Sequence, residues 1–293
     1  MATTPTTTQS LVNSIPKMIT SARLVREQEG DMVGLVERKT LGKGMGDTWH
    51  EVSYAKLTAQ AITETTENDN IQQVSDTDFA ITPTMVQIAT MLTDKAKRNI
   101  TQNGLREIAS LSQNAMQRKR NQDGLTTIDS TSSAQLGSGG ASMTFGLVAA
   151  GASNVEGNST EPGRPPIRFV AHSFQLKDIY DQFTAPVGTY DISSGSETFK
   201  VFQRGFRGMI NNAEAFANND LTIDSDSDDA KAGVFAKEGI VYVEELAPRM
   251  EVERKPRIGG GSDIVTHTDS HAYGIRQNNW VQEIISDATA PTS

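Results

Sequence analysis

The chain has 293 residues, of which 36% are hydrophobic and 22% are charged, a composition typical of folded globular proteins and not of disordered chains. It contains no cysteine, which excludes disulfide bonds, thiol catalysis and thiolate-bound metal centres and is typical of a reducing cytosol. No apolar run approaches the ~20 residues of a membrane-spanning helix, so no membrane contact is expected. The first residues lack the basic start and apolar block of a secretion signal.

The net charge of −9 arises in the second part of the chain. Up to Asp129, 14 Lys and Arg nearly balance 15 Asp and Glu, whereas the remainder has 13 against 21. Proteins that grip a nucleic-acid backbone have a basic surplus instead. Tight nucleic-acid binding is therefore not expected, although a local basic face can still touch DNA.

The chain begins with a Thr-rich stretch, residues 1–10, which has little to pack and is predicted to be a flexible arm. A short amphipathic helix is predicted next, ending near Gly30. Its start is indicated by Ser14, which can cap a helix, and by Pro16, which fits a first turn.

Residues 33–62 are predicted to form an extended hairpin. Its first strand is 33–40, its glycine-rich tip is 41–47 and its return strand starts at Thr48. An isolated two-stranded ribbon is marginal in water, and this one carries several charges. We therefore expect it to project from the body and lie on another surface. The alternative is an edge hairpin of the chain's own sheet.

A strand is predicted within 76–94, and the longest helix at 101–123, which at 1.5 Å per residue spans roughly 33 Å. Its inner stripe is formed by Leu105, Ile108, Ala109, Ser112, Ala115 and Met116. The basic run 118–120 precedes Gly124 and is expected to end the helix, where cations balance the helix dipole. A phosphate contact is the alternative role of this run.

A Ser- and Gly-rich loop at 130–142 is predicted as a boundary between subdomains. The region after it alternates helices and strands: helices are predicted at 144–156, from a cap at Ser173, and near 197–204, and strands at 167–171 and around 209–216. The last part is predicted to be β, with strands at 232–235, 239–243, 249–254, 262–275 and 280–285.

Motifs for catalysis or cofactor binding are weak. The glycine-rich tip lacks the strand-to-helix context and the Lys-Ser/Thr ending of a phosphate-binding loop. The acidic run 224–229 begins like a calcium loop, but Asp229 stands where glycine is required and Phe235 replaces the bidentate glutamate. We interpret this run as a solvated acidic turn.

Three residues of a predicted strand offer a metal-site hypothesis. His267, Asp269 and His271 alternate and so share one face, and two imidazoles with one carboxylate can hold a divalent metal with an open position. This arrangement would suit a metal-dependent hydrolase. No His-Glu-x-x-His pattern supports it, and alternation in a polar strand is the simpler explanation. No catalytic, cofactor or metal residue is therefore assigned, and the chain is not expected to be an enzyme.

Several stretches carry a family resemblance through their number and order: Leu35–Arg38, Gly42–Trp49, Thr160–Pro162, His172–Asp181, Asp228–Glu238, Pro248–Arg254 and Ser286–Ser293. The order of predicted elements is an arm, a charged hairpin, a long helix, an α/β portion and a return to strands. On both grounds the sequence resembles, over nearly its whole length, the major capsid proteins of tailed double-stranded DNA phages, which have the Hong Kong 97-type shell fold.

The resemblance implies an α+β fold with named parts. These are an N-terminal arm at 1–32, an extended E-loop at 33–66, a peripheral P-domain from 67–129 and 233–293 with a spine helix at 101–123, and an axial A-domain at 130–232.

The resemblance also implies a structural protein that self-assembles as hexamers and pentamers into the icosahedral head around the phage DNA. It would be made in the host cytoplasm and reside in the virion, with no cofactor. Portal, scaffolding and decoration proteins are its implied partners, and packaged DNA touches it weakly. Expected inter-subunit contacts of the E-loop are Arg38, Lys39, Lys43, Trp49 and Glu51, and the expected inner-face DNA contacts are Arg118, Lys119 and Arg120. An encapsulin-like bacterial compartment shell remains an alternative.

Overall fold

The computed structural model describes residues 32–65, 67–69, 71–99, 102–184 and 208–292. The predicted arm, the helix before Gly30 and the helix near 197–204 lie outside these residues. The helices within them are α1 (Met32–Leu35), α2 (Asp94–Asn99), α3 (Gln102–Asp129), α4 (Phe145–Glu156) and α5 (Ser173–Thr184). The strands are β1 (Glu37–Thr40), β2 (Trp49–Tyr54), β3 (Asp76–Ile81), β4 (Thr84–Thr93), β5 (Leu136–Gly137), β6 (Ile167–Ala171), β7 (Met209–Ile210), β8 (Ala213–Ala217), β9 (Asp229–Ala236), β10 (Ile240–Lys255), β11 (Ser262–Ile275) and β12 (Val281–Asp287).

The first sheet has four strands in the order β1-β10-β11-β4. β1 is parallel to β10, and the other neighbours are antiparallel. β10 and β11 form a long hairpin that ends with Lys255 opposite Ser262. The predicted strands at 239–243 and 249–254 are one strand, β10, with register shifts between Glu244 and Arg249. The strand predicted at 262–275 is confirmed.

The hairpin predicted at 33–62 is wrong. Residues 32–35 are helical, and β1 pairs with β10, whereas β2 pairs with β3, Trp49 lying opposite Ile81. The reason is burial: Val36 and Leu41, which flank β1, are only 2% and 4% exposed, so this strand is fixed in the body. The glycine-rich segment 41–47 has left-handed conformations at Gly44 and Gly46, but the strands on its two sides do not pair with each other.

The second sheet has six strands in the order β5-β12-β9-β6-β8-β7. The predicted helix at 144–156 covers it as α4, capped by the Thr144 hydroxyl, which accepts a hydrogen bond from the Leu147 amide. The core between them contains Val148, Ala152, Val155, Ile167, Phe169, Val234 and Ile284. The boundary between A-domain and P-domain that is expected between 232 and 233 falls inside β9. β12 pairs with β9 in this sheet. Strands close in sequence to β10 and β11 therefore belong to a different sheet.

Helix α3 lies between the two sheets. Leu125 and Ile128 pack against residues of both sheets, among them Phe235 on β9 and Tyr242 on β10. The helix is confirmed but extends to Asp129, so its 28 residues span roughly 42 Å. Ser112 and Met116 of the predicted stripe are buried. The side chains of Leu105, Ile108 and Ala109 lie outside the described part.

The basic run 118–120 does not end α3, contrary to expectation. Gly124 lies inside the helix, where it packs tightly against Met32 and Tyr273. Gly124 therefore permits the close approach of Met32 and Tyr273 to the helix, and its interpretation as a helix end is wrong. In the part of the chain that the structure describes, no helix combines the length and the apolar character needed to cross a bilayer.

Helix α5 is capped by His172 and not by Ser173 as predicted. The Phe174 amide donates to His172 Nδ1 at 3.2 Å, and the His172 amide donates to Oε1 of Gln175 at 3.0 Å. Ser173 instead donates its hydroxyl to Asn219. Burial lowers the pKa of His172, which favours the neutral ring that this cap requires.

This cap predicts a pH dependence. Because the pKa of His172 is lower in the folded state, its contribution to stability is complete above the ordinary histidine value of about 6.5 and declines as the pH falls below it. The variant His172→Asn supplies an oxygen acceptor in place of Nδ1 and does not titrate, so its free energy of unfolding should fall less between pH 7 and pH 5. Urea unfolding of the purified monomer at each pH measures this difference. Equal pH profiles in the two proteins would contradict the cap.

The contact of α3 with β9 predicts a second effect. A Cβ atom at Gly233 would overlap the side chain of Ile128, so Gly233→Ala should lower the free energy of unfolding by about 1–3 kcal/mol. Gly146, in the first turn of α4, has space for a Cβ, and Gly146→Ala should be neutral or stabilising by up to about 1 kcal/mol. Urea midpoints of the two variants test the contrast; similar midpoints would contradict it.

Candidate assembly surface and the ion pairs that support it

The paired strands β2 and β3 and the segment between them form a ribbon, residues 49–81. Every described residue from Val52 to Asp78 is exposed. Beyond the two strands the ribbon continues through a bond from the Ala55 amide to the Ser75 carbonyl at 2.9 Å. Further out, the Thr58 amide donates to Oε1 of Gln72 at 2.8 Å. These bonds join the two sides of the ribbon, which therefore stands away from the body.

The ribbon carries apolar side chains that its own chain leaves uncovered. Ile71 is 94% exposed and Tyr54 is 74% exposed. The others that are at least half exposed are Val52, Leu57, Ile62 and Val74. Several large apolar residues exposed together are typical of a surface that binds another molecule. The ribbon is therefore the best candidate for an intermolecular contact.

The base of the ribbon is fixed to the first sheet. The rings of Trp49 and Phe79 meet edge-on with centroids 6.1 Å apart, and together with Ile81 they pack against β10. Arg276 Nη1 lies 2.6 Å from the Glu37 carboxylate, and Nη2 lies 2.9 Å from that of Glu51. This guanidinium links β2 to β1 and so sets the direction in which the ribbon leaves the body.

The electrostatics of this anchor favour its charged form. Burial alone would lower the pKa of Arg276, but the carboxylates of Glu37 and Glu51 outweigh it and hold the pKa above its ordinary value. Burial would raise the pKa of Glu37, but Arg276 and Lys39 hold it below its ordinary value. Sequence reasoning missed Arg276, because an arginine after a strand has no distinguishing pattern.

The residues predicted for inter-subunit contact are not brought together. Arg38 lies on β1, 3.3 Å from Glu244, and Lys39 lies 2.7 Å from Glu37. Trp49 and Glu51 are on the ribbon but face their own body, as described above. Lys43 lies in the exposed corner between β1 and β2. Contact of these five with a neighbouring subunit stays a prediction, whereas the uncovered part of the ribbon, 52–78, lies largely beyond them.

A buried ion-pair network fastens α3 to the first sheet. Arg120 approaches Asp269 with two nitrogens, Nη2 donating to Oδ1 at 2.8 Å, and reaches Glu244 at 3.0 Å. Asp269 is fully buried. His271 Nδ1 lies 3.0 Å from Asp269, and its Nε2 lies 3.3 Å from Asp123 on α3. The network therefore joins the helix to both β10 and β11.

The network keeps its charges despite burial. Burial raises the pKa of the Asp269 carboxyl, but hydrogen bonds from His271 and Arg120 outweigh it and hold the pKa well below its usual range. Burial would lower the pKa of Arg120, and its carboxylate partners hold it above its ordinary value. Burial also raises the pKa of Tyr242, which lies between Arg120 and Arg38.

The metal-site hypothesis for His267, Asp269 and His271 is wrong. Both oxygens of Asp269 are occupied by Arg120, a permanent cation that disfavours a bound metal ion. Among the described residues there is no group of three or more His, Asp or Glu side chains placed to hold a metal.

The basic run on α3 is divided by the helix geometry. Arg120 points into the network, while Lys119 forms an exposed ion pair with Asp123 at 2.6 Å. Successive helical residues point in directions about 100° apart, so Arg118, Lys119 and Arg120 cannot present one basic face. A DNA contact of Arg118 and Lys119 stays a prediction, whereas the guanidinium of Arg120 is committed to Asp269 and Glu244.

The network predicts a large mutational effect. Asp269→Asn would leave Arg120 buried without its main counter-charge and should lower the free energy of unfolding by about 3 kcal/mol or more. The control Glu251→Gln disrupts the exposed pair with Arg249 and should cost less than about 1 kcal/mol. Urea unfolding of the purified monomers measures both, and a small loss in Asp269→Asn would show that the network is not structural.

Solved structures with the same fold include phage capsids. A capsid structure of Helicobacter pylori bacteriophage KHP30 aligns with a TM-score of 0.73 at 9% identity, covering 98% of this chain and 99% of that chain. A chain of Mycobacterium phage Che8 aligns with a TM-score of 0.71 at 15% identity, covering 94% and 98%. The holo-SrpI encapsulin complex of Synechococcus elongatus PCC 7942 gives a lower TM-score of 0.62 at 9% identity, covering 93% and 95%. No protein-family model and no curated protein matches the sequence. This chain therefore has, over almost its whole length, the mixed helix and sheet fold found in phage capsid structures.

Proposed function

We propose that this chain is the major capsid protein of a tailed double-stranded DNA phage, a structural subunit that assembles as hexamers and pentamers into the icosahedral head. The observation that carries the proposal is the whole-length similarity to phage capsid chains.

The uncovered ribbon supports the proposal independently. A ribbon of two strands is marginal in water, and this one exposes apolar side chains along its length. In a shell, every copy offers the same ribbon to a neighbour, and many modest contacts repeated by symmetry give a stable container. The ribbon would then be covered only after assembly.

We propose the following division of the chain. The extended loop is the ribbon at 49–81, in place of the range 33–66 expected from the sequence. The P-domain is the first sheet with α3 as its spine, and the A-domain is the second sheet with α4 and α5. The A-domain then includes β9 and β12, and the arm is residues 1–32, as the resemblance implies. Copies of the chain, a portal, scaffolding and decoration proteins and the packaged DNA are the proposed partners.

An encapsulin-like shell is the second candidate, because an encapsulin complex shares the fold. The phage capsids give higher TM-scores, which favours the first reading. Electron microscopy of the purified protein and mass spectrometry of its contents separate the two. Shells that reproducibly enclose one host enzyme would indicate a compartment, and shells without such cargo a capsid.

A shortened ribbon tests the shell proposal. Because Ala55 and Ser75 are already hydrogen-bonded partners, replacing residues 56–74 by Asn-Gly should close the ribbon with a two-residue turn. Subunits of this variant should unfold at the wild-type urea midpoint, since the removed residues are exposed, but their yield of particles should fall at least tenfold. Sedimentation and negative-stain imaging measure the yield. A normal yield would contradict the proposed role of the ribbon, and a wild-type protein that never forms particles would contradict the proposed function.

A further inference from the structure

The buried ion-pair network contains an imidazole ring, that of His271, whose side chain is only 1% exposed. The guanidinium of Arg120 stays protonated throughout the working pH range, and carboxyl groups that are paired with cations ionise below about pH 5. An imidazole, in contrast, gains or loses its proton within the physiological pH range. The protonation state of His271 therefore sets the net charge of the network.

Both ring nitrogens of His271 face carboxylates. Nδ1 lies 3.0 Å from Oδ2 of Asp269 on the same strand, and Nε2 lies 3.3 Å from Oδ2 of Asp123 on α3. An ionised carboxylate only accepts hydrogen bonds, so each contact needs an N–H on the ring. A neutral imidazole has one N–H and would turn the lone pair of its other nitrogen toward a negative oxygen. The imidazolium, with an N–H at both nitrogens, satisfies the two contacts together.

Each of the two carboxylates has a second cation that keeps it ionised. Arg120 donates to both oxygens of Asp269. Lys119 donates to Oδ1 of Asp123 at 2.6 Å, which leaves Oδ2 to the ring of His271. The hydrogen of each contact must therefore come from the ring and not from a carboxyl group.

The charge balance of the network also favours a proton on the ring. Glu244 on β10 adds a third carboxylate, which Arg120 reaches at 3.0 Å. Lys119 on α3 and Arg38 on β1 touch the network from outside, but their side chains are 50% and 58% exposed, so water and salt screen them. The inner part of the network thus has three carboxylates against one guanidinium, and a positive imidazolium reduces this excess of negative charge.

Two phenols also face the ring, but they do not change charge near neutral pH. The ring centroids of Tyr242 on β10 and Tyr273 on β11 lie 5.8 and 6.4 Å from that of His271. Burial raises the pKa of Tyr242 above its ordinary value, and an unperturbed phenol already stays neutral up to about pH 9. A change of charge in this site between pH 6 and pH 9 therefore belongs to His271.

We propose that His271 is a buried proton-binding site that locks α3 onto β11. With its proton bound, the ring joins the helix to the strand through two charge-assisted hydrogen bonds. When the proton leaves at alkaline pH, one contact becomes a repulsion between a ring lone pair and a carboxylate, and the joint weakens. Every group in the site belongs to one copy of the chain, so this inference does not depend on the proposed shell function.

The sign of the pH dependence follows from the partners of the ring. The folded state binds the proton more tightly than the unfolded chain, because both ring nitrogens meet carboxylates only after folding. The contribution of His271 to stability is therefore complete below the ordinary histidine value of about 6.5 and is lost as the pH rises above it.

Nuclear magnetic resonance of protein labelled with ¹⁵N in histidine reads the protonation state of wild-type His271. The two nitrogens of an imidazolium give similar shifts, whereas those of a neutral ring give widely separated shifts. We expect the imidazolium pattern at pH 7, in the monomer in solution and in assembled particles under magic-angle spinning. The signal is assigned by its absence from His271→Gln. Widely separated shifts at pH 7 would overturn the proposal.

Urea unfolding of the purified monomers tests the contribution to stability. The folding equilibrium constant of the wild type, divided by that of His271→Gln, should fall by about tenfold between pH 6 and pH 9. The cap at His172 is present in both proteins and cancels from this ratio. The control His50→Gln removes an exposed histidine that pairs with Asp78, and its ratio to the wild type should stay constant over the same range.

The carboxylate on α3 provides a second comparison. In Asp123→Asn the ring faces one charged partner instead of two, so His271 should lose its proton at a pH lower by roughly one unit. The control Glu251→Gln makes the same change of a carboxylate to an amide on β10, outside the network, and should leave the titration where it is in the wild type.

The outcomes separate a proton site from a merely structural histidine. A ratio between wild type and His271→Gln that does not change with pH, or an unchanged titration in Asp123→Asn, would overturn the proposal. If His271→Gln fails to fold, the chain has three other histidines, and variants at His50, His172 and His267 assign the remaining signal by elimination. The spectrum of the wild type then still decides whether the buried ring carries its proton.

Discussion

The contact between Arg120 and Asp269 holds the architecture together, because it fixes the long helix α3 to the first sheet. A buried carboxylate is unfavourable unless it is paired and fully hydrogen-bonded, and Asp269 satisfies this condition through Arg120 and His271. On the same helix, Leu125 and Ile128 pack against residues of both sheets, among them Phe235 on β9. The helix thus sets the relative position of the two sheets.

The ribbon depends on the same frame, though less directly. Arg276 ties the base of the ribbon to β1, and β1 is held beside β10, the strand that receives Arg120 through Glu244. The anchored part is well packed, whereas the part beyond Val52 contacts solvent. A packed base with an uncovered end suits an element whose direction is set by its own molecule and whose exposed part binds another molecule.

Regular elements with strong local patterns were predictable from the sequence. The helix α4 with its Thr144 cap, the strand β6 and the long strand β11 lie where periodicity and flanking turns place them. Strand pairing was not predictable in the same way. β1 looked like half of a hairpin because glycines follow it, but its partner is β10, about 200 residues away in the chain. No local sequence pattern predicts such a pairing, because the choice of partner strand depends on burial in the complete fold.

The partners of the side chains in the candidate site were also not predictable from the sequence. Arg120 was interpreted as part of the cationic end of a helix, and Asp269 was considered, without being assigned, as a metal ligand; each idea is plausible for an isolated residue. These two residues are 149 positions apart in the chain. The structure brings them into contact, and their opposite charges form an ion pair. Sequence reasoning identified chemically capable side chains but could not identify their partners. It predicted a charged hairpin in the ribbon region, and contact of the five residues named there with a neighbouring copy stays a prediction.

The place of β12 in the second sheet has a consequence for how the protein is made. This strand lies between β5 and β9, so the sheet has a gap until residues 281–287 have been synthesised. The other five strands of that sheet are synthesised earlier, and β5 and β9 lack their common neighbour until β12 follows. Long-range closure of this kind is slow compared with local folding. A nascent chain therefore cannot complete this sheet before residues 281–287 have been synthesised.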